Sequence, residues 1–499
     1  MTSEADVPGT RFLLAVAVAS WSVMALTSPA YGVTPVPVGA GSLPHVAADK
    51  TGVGHVTWIE TAGNTSTFHY CRLAPTATGC TAPFSFADAA QDVDGGYALL
   101  PPDGRVLLVE ARGITPGRAK LLWTSTDGGA SFGAPLQIAT MASVGANIAG
   151  GAAYFPAGAL GLAAESIFTI GELSGVTAPF QASGATAGAG SAGAELTPNV
   201  GASMALGGDT LIAALSDFAM LKWSRYSGPV PATLDSLNAL ANWTAPAAIG
   251  PRSGANTETR LVSGSGGTFV GYEVDSGAGQ ADIVVRRFDG GAWGAPTVVA
   301  ASASKPDLFE DPAGRLHALW TDLTGLHYRY TTNAGNSAWS APQTLAAGDA
   351  FGFPRVSVNA DGNGWAVWAG GAGIRAVPLR RATLYNGPQT SVNSSDANAT
   401  YTLGVPRSCV APGQRFRVTL RWKRQKRKGN LFVKVRRTDF YLGTKKLRTD
   451  SKPAFTYTYN VTPTQRPGTK ITLRARAFIK VKRGKSPTKS IRATIRICG

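Results

Sequence analysis

The chain is poor in charge, in cysteine and in long apolar runs. Only 15% of its 499 residues are charged, whereas Gly (60) and Pro (31) are abundant. That balance excludes an architecture of long, salt-bridged helices and favours short strands joined by turns. A hydrophobic fraction of 44% excludes disorder throughout, and the length suggests two or three domains. None of the four cysteines forms a C-x-x-C pair, and the five histidines (His45, His55, His69, His317 and His327) look scattered, so no metal is expected. The sequence has no G-x-S-x-G elbow and no phosphate-binding glycine loop. No cofactor is expected on that basis.

One apolar run stands out. Phe12 to Leu26 follows Arg11 and precedes Thr27-Ser28-Pro29-Ala30. It is short for a membrane span and reads as part of a signal peptide over residues 1–32. The expectation is a secreted or extracellular protein, possible wall association included, with no transmembrane segment after cleavage. Four cysteines in such a compartment suggest two disulfides, Cys71 with Cys80 and Cys409 with Cys498, one per domain.

Acidic residues are almost absent from the last 99 positions. Residues 401–499 hold 27 Lys/Arg and two acids, Asp439 and Asp450. The first 400 residues hold 20 Lys/Arg and 28 Asp/Glu. The net charge of +17 therefore belongs to one end, which suggests two domains with different partners.

What is present over residues 33–386 is a repeat. Pro44, Asp49, Gly52 and Trp58 fit P-x4-[DN]-x2-G-x5-W. Pro306, Asp311, Gly314 and Trp320 match it without a gap, as do Pro354, Asn359, Gly362 and Trp368. Weaker copies bring the count to seven. A second series ends in Ala-Pro, at Pro83, Pro135, Pro179, Pro246, Pro296 and Pro342. Each unit reads as two strands around a glycine turn, followed by an outer strand opened by Ala-Pro, where a missing N–H is tolerated. A period of roughly 50 residues with four strands is a propeller blade. The fold class expected is all-β, a seven-bladed β-propeller (six-bladed as the alternative), with Thr34–Val38 supplying the strand that closes the ring.

Ser125, Asp127, Gly129 and Phe132 fit S-x-D-x-G-x-x-[WF]. This resembles the Asp-box (BNR repeat) of sialidase-like propellers, in which it is a structural hairpin. Thr331, Asn333, Gly335 and Trp339 look like a degenerate copy. The resemblance implies the propeller fold and not catalysis. Sialidases use three arginines, a Tyr–Glu nucleophile pair and an acidic group. The first arginine lies in an F/Y-R-I-P motif, and here that neighbourhood reads Ser42-Leu43-Pro44-His45-Val46. Arg355, in Phe353-Pro354-Arg355-Val356, has similar letters in another order and reads as a strand residue. Tyr272 and Glu273 are adjacent, and adjacent strand residues point to opposite faces. No catalytic residue is assigned.

An acidic residue stands near the end of the second strand in six of the seven repeats: Glu60, Glu110, Glu165, Asp217, Glu273 and Asp322. These are candidates for a negative rim that binds a cation or basic group. The competing reading is acids that end strands and hold turns.

Residues 387–404 are rich in Asn, Ser and Thr and read as a linker. Over 405–499, apolar residues alternate with cations, as in Arg415-Phe416-Arg417-Val418-Thr419-Leu420. This predicts half-buried strands in an immunoglobulin-like sandwich. It resembles the Cys-bracketed basic β-sandwich modules at the ends of secreted actinobacterial proteins. A polyanion is the partner expected, an anionic cell-wall polymer or polysaccharide, held by loops over Arg421, Lys423, Arg424, Lys426, Arg427 and Lys428 and over Lys480, Lys482, Arg483 and Lys485. Specific nucleic-acid binding is not expected, since only Trp422 offers a stacking ring among the cations. The sequence thus points to a secreted, monomeric, non-catalytic binding protein of the cell surface, with a carbohydrate-binding propeller. A glycosidase of the sialidase-like type is the alternative.

Overall fold

The computed structural model describes residues 34–498, apart from residues 64, 76, 89–92, 115–116, 142–150, 163–164, 174–175, 184–200, 208–209, 217–218, 233–235, 238, 254–258, 278–279, 332–337, 349–350, 381–387, 398, 411–413, 427–428, 430, 453, 462–467 and 485. The expected signal peptide (residues 1–32), Asp217, Asn333, Gly335, Arg427, Lys428 and Lys485 lie outside the described residues.

Seven antiparallel sheets follow one another along the first 380 residues. Their first strands are Ser42–Ala48, Val93–Leu99, Gly151–Phe155, Gly201–Gly207, Arg260–Gly264, Ser304–Glu310 and Gly352–Val358. Each first strand lies beside that of the next sheet, and Gly352–Val358 returns to Ser42–Ala48. The sheets therefore form a closed ring of β-propeller type, with the first strands innermost. Six sheets have four described strands, and the third has three. The fourth strand of the seventh sheet comes from the start of the described chain: Val36–Gly39 pairs with Gly373–Arg380, Val36 opposite Ala376. The last sheet is thus bonded to the first segment, which closes the ring through backbone hydrogen bonds.

Each position of the sequence pattern has a backbone reason. Asp49 Oδ1 accepts from the N–H groups of Thr51 and Val53, Asp311 Oδ1 from Ala313 and Arg315, and Asn359 Oδ1 from Asp361 and Asn363. The glycine three residues on takes positive φ (85° at Gly52, 76° at Gly314, 77° at Gly362) and donates to the carbonyl of the same Asp or Asn. Trp58, Trp320 and Trp368 are buried and pack in the cores between sheets. The prolines sit at bulges. The register shifts between Ser42 and His45, between Ser304 and Asp307, and between Gly352 and Arg355. Proline costs no ladder bond there. Just before each proline, Leu43, Lys305 and Phe353 take φ of 50°, 53° and 48°.

Outer strands start directly after the Ala-Pro in four of the six copies, for example Thr297–Ala300 after Pro296 and Gln343–Ala346 after Pro342, and the Pro83 copy lies near the start of the outer strand Thr81–Asp88. The Pro179 copy differs, because it lies in Val176–Ser183, the third strand of the third sheet.

Two four-stranded sheets make the basic end. One orders Gln389–Ser395, Ala399–Pro406, Arg415–Arg424 and Thr456–Asn460. The other orders Lys445–Asp450, Phe432–Leu442, Lys470–Val481 and Thr488–Arg496. Their inner faces share one core, which includes Tyr401, Phe416, Phe432, Ile471 and Ile495. The linker expected over 387–404 is corrected. Those residues fold as the first two strands, with Ala399, Tyr401, Leu403 and Val405 buried and Thr400, Thr402 and Gly404 partly exposed. Ser391, Asn393, Ser395, Thr400 and Thr402 occupy the outward positions of a half-buried sheet, where polarity is free. Cys71 is bonded to Cys80, and Cys409 to Cys498. Among the described residues, no helix is long and apolar enough to cross a membrane.

Candidate functional site

The bulges aim side chains. Because each proline bulge breaks the register, the residue after it, His45, Asp307 or Arg355, lines a cavity of about 390 Å³ enclosed by the first strands of all seven sheets. Tyr97 and Arg260 line it too. Arg260 Nε donates to Asp307 Oδ1 at 2.8 Å, and the Val356 N–H donates to Oδ2 at 2.7 Å. The His45 and Tyr97 rings meet edge to face, 4.8 Å apart. Burial, and then the charges of Arg355 and Arg260, push the His45 pKa down to about 3. The imidazole is therefore neutral at pH 7. Two guanidinium groups stand against one carboxylate, so the cavity favours an anionic group. Sequence reasoning missed this set. Arg355 is a strand residue, as expected, but its bulge turns it to the ring axis.

Each of the five described acidic candidates is engaged by a neighbouring group of the protein. Glu60 and Asp322 lie near second-to-third-strand turns and each meets a histidine: Glu60 with His69 at 3.1 Å, and Asp322 with His327 at 2.9 Å. Asp322 also accepts from the N–H groups of Thr324 and Gly325, so it holds its own turn. Glu110 is buried and accepts from Trp123 Nε1 at 2.8 Å. Glu273 is buried and accepts from the Lys305 N–H, which the bulge sets free, at 2.6 Å. Glu165 immediately precedes its strand, Ser166–Leu173, instead of ending it. It pairs with Arg105, which stands before the second strand of the preceding sheet, at 2.9 Å, and also accepts from the Tyr154 hydroxyl. Hydrogen bonds from Arg105 hold its carboxyl below the ordinary glutamate range.

Four of the five histidines form two matched sets. In the first sheet, His55 Nδ1 bonds the Tyr70 hydroxyl (2.8 Å), and His69 stacks on Trp58 and bonds Ser85 (3.0 Å). In the sixth, His317 Nδ1 bonds the Tyr328 hydroxyl (2.7 Å), and His327 stacks on Trp320 and bonds Thr344 (3.2 Å). The scatter seen in the sequence is a repeat with a period of five sheets, and it is structural. Among the described residues, no group of three or more His, Cys, Asp and Glu could hold a metal ion.

The Ser125–Phe132 turn is also structural. Asp127 Oδ1 accepts from Ser125 Oγ and from the N–H groups of Ala130 and Ser131, and Oδ2 accepts from Ser131 Oγ. Phe132 meets the rings of Tyr70 and Phe84 in the first sheet at 5.0 and 5.3 Å. Gly129 has φ 85°, and a Cβ there would collide with the Tyr70 hydroxyl. Gly129→Ala is expected to lower stability by about 1–3 kcal/mol, read as a shift of the urea midpoint. Gly128→Ala, where a Cβ meets nothing, should cost less.

On the basic end, Phe432 links the two cationic runs: its ring meets that of Trp422 at 4.8 Å. The Lys482 N–H donates to the Leu431 carbonyl, and Phe432 pairs with Val481. Arg421, Lys423 and Arg424 belong to a strand, Arg415–Arg424, and not to a loop as expected. The alternating pattern continues through them, so the strand outlasts its buried residues. Lys480 also lies on a strand.

No protein-family model and no curated protein matches the chain. Solved structures similar to it include a microbial sialidase, Hz136 (11% identity, TM-score 0.39, covering 68% of this chain and 66% of that one). Others are an α-L-arabinanase of Penicillium chrysogenum (12%, 0.36, 70% and 97%) and a fucose-specific lectin of Aleuria aurantia (12%, 0.36, 63% and 97%).

Proposed function

We propose that the protein is a secreted binding protein of the cell surface. Its seven sheets act as the blades of one seven-bladed propeller that serves as a ligand platform, and its immunoglobulin-like sandwich holds an anionic wall polymer. One observation carries this reading: both sandwich sheets bury their apolar residues inward and turn arginine and lysine outward, as on Lys470–Val481, where Lys470, Arg476 and Lys480 are exposed. Such a surface releases counterions when it meets a polyanion. The full chain is expected to bind purified wall polymer at low salt and to lose roughly a hundredfold or more in affinity between 50 and 200 mM salt. No binding at 50 mM would overturn the reading.

A glycoside-acting propeller is the second reading, and the cavity with Arg260, Arg355, Tyr97 and His45 favours it. Against it, Tyr272 and Glu273 are both buried, with Glu273 bonded to the Lys305 N–H. Turnover of aryl glycosides that disappears in Arg355→Ala would establish it.

A further inference from the structure

We infer that the polyanion is seated on the outer face of the second sandwich sheet, not on the two cationic runs, and that it is a flexible polyol-phosphate polymer. The inference rests on the polyanion reading above and locates its site.

The two outer faces differ. On the first sheet the cations stand on one strand (Arg415, Arg417, Arg421 and Lys423), and the neighbouring strand Ala399–Pro406 contributes Thr400 and Thr402. On the second sheet every strand contributes at least one cation: Lys446, then Arg437, then Arg474 and Arg476, then Arg492. Arg474 stands directly opposite Arg492, and Lys434 opposite Lys480. Like charges side by side cost stability unless a ligand takes them up.

The guanidinium groups are also held in place. Arg474 lies over the Tyr441 ring, 4.2 Å from its centroid. Arg437 lies over Phe478 at 4.1 Å, and Arg476 lies over the same ring at 5.3 Å. Stacking fixes the plane of the fork, which reduces the entropy lost on binding; Arg474 Nε is buried and Arg476 Nη2 reaches Thr488 Oγ1 at 3.5 Å, so the terminal Nη edges are what an anion meets. The one acid of this face, Asp439, is buried and already engaged by Thr449 and Lys446. It also lies 3.9 Å from Arg437 Nε, so it offsets part of the charge of Lys446 and Arg437 and leaves Arg474, Arg476 and Arg492 as the cations open to a polymer.

The face selects its partner by shape. Alternate residues along a strand are about 6.6–6.8 Å apart and adjacent strands about 4.8 Å. A polymer must therefore present successive charges to one side at short intervals. A polyol phosphate is flexible enough to do so, whereas a stiff two-fold polyuronate turns alternate carboxylates away. Phosphate also accepts the guanidinium fork with two oxygens. Phe478 and Tyr441 are covered by arginine, so they offer no platform on which bases could stack.

The test uses the full chain and purified poly(glycerol phosphate) at two salt concentrations. Arg474→Gln/Arg476→Gln/Arg492→Gln is expected to lose at least tenfold in affinity and to flatten the slope of log K against log salt by about 2–2.7 units, about 0.7–0.9 for each of the three contacts. The matched variant Arg474→Lys/Arg476→Lys/Arg492→Lys keeps the charge and loses the fork, so it should recover only part of the affinity. It also shows that the loss is not one of folding. A variant of the two runs, Lys423→Gln/Lys426→Gln/Lys482→Gln, should lose no more than twofold to threefold. If the run variant loses tenfold and the face variant does not, the location is wrong while the polyanion reading stands. If the wild-type chain binds duplex DNA or polygalacturonate as tightly as poly(glycerol phosphate), the choice of polymer is wrong. If it binds none of them at low salt, the polyanion reading itself fails.

Discussion

Replacing Cys409 and Cys498 together by serine is expected to lower the stability of the sandwich by about 4–5 kcal/mol, from the loop-closure entropy of a long loop. The bridge joins residues 89 apart. It sits beside two backbone bonds between the same segments, from the Val410 N–H to the Arg496 carbonyl and from the Cys498 N–H to the Val410 carbonyl. Beside it, Val410 pairs with Ile497 in an isolated parallel bridge, and both residues are fully buried. Without the covalent link, the strand Thr488–Arg496 is an edge strand held on one side by Lys470–Val481. The bridge Cys71–Cys80 closes only nine residues within one sheet. Its loss should cost about 2.5–3 kcal/mol on the same model. Calorimetry of the full chain separates the two effects, because each variant should move a different transition. An equal or smaller shift for Cys409→Ser/Cys498→Ser than for Cys71→Ser/Cys80→Ser would show that the sandwich does not depend on this link.

How far the sequence could be read follows from which residues report on their own backbone. Proline, Asp or Asn, and glycine in the repeat are read directly, because each answers to a bulge, a turn or a positive φ within a few residues. What a bulge aims at is not local. His45, Asp307, Arg355 and Arg260 come from four sheets, and only closure of the ring brings them together. The same limit hid the paired histidines, since Asp49, His55 and Trp58 match Asp311, His317 and Trp320 five sheets away. The partners of the acidic residues are not legible in the sequence either. Glu110 and Glu273 are buried on protein donors, and Glu165 stands one residue before its strand, Ser166–Leu173, none of which is local information. Polar composition misled at 387–404, because an outward face of Ser, Thr and Asn has the same letters as a loop and only the alternating Ala399, Tyr401, Leu403 and Val405 reveal the strand.

The matched sets also allow a comparison within one molecule. Asp311→Ala is expected to destabilise the propeller by about 3–5 kcal/mol, because it strands a buried cation. Asp311 is fully buried and Arg315 nearly so; Arg315 Nε donates to Asp311 Oδ2 at 2.7 Å, and His317 Nε2 lies 3.0 Å from the same oxygen. The Ala313 and Arg315 N–H groups are held by Oδ1, so the turn is lost as well. At the equivalent position Asp49 is partly exposed, its histidine lies 3.8 Å away and it has no arginine partner in the turn. Asp49→Ala should therefore cost only about 1–2 kcal/mol. Asn359 is the uncharged form of the same turn, which predicts that Asp311→Asn keeps the turn, loses the ion pair and falls between the two. The pH dependence has a definite sign. Burial alone would raise the Asp311 carboxyl, but hydrogen bonds from His317 and Arg315 outweigh it and hold the group below the ordinary aspartate range. A depressed folded pKa means that the stabilisation is complete at neutral pH and is lost as the pH falls below the ordinary range through the folded value. Urea unfolding between pH 7 and pH 3 should show the gap between wild type and Asp311→Ala narrowing toward acid. A gap at pH 7 no larger than that of Asp49→Ala would mean that the buried cluster adds nothing beyond a turn.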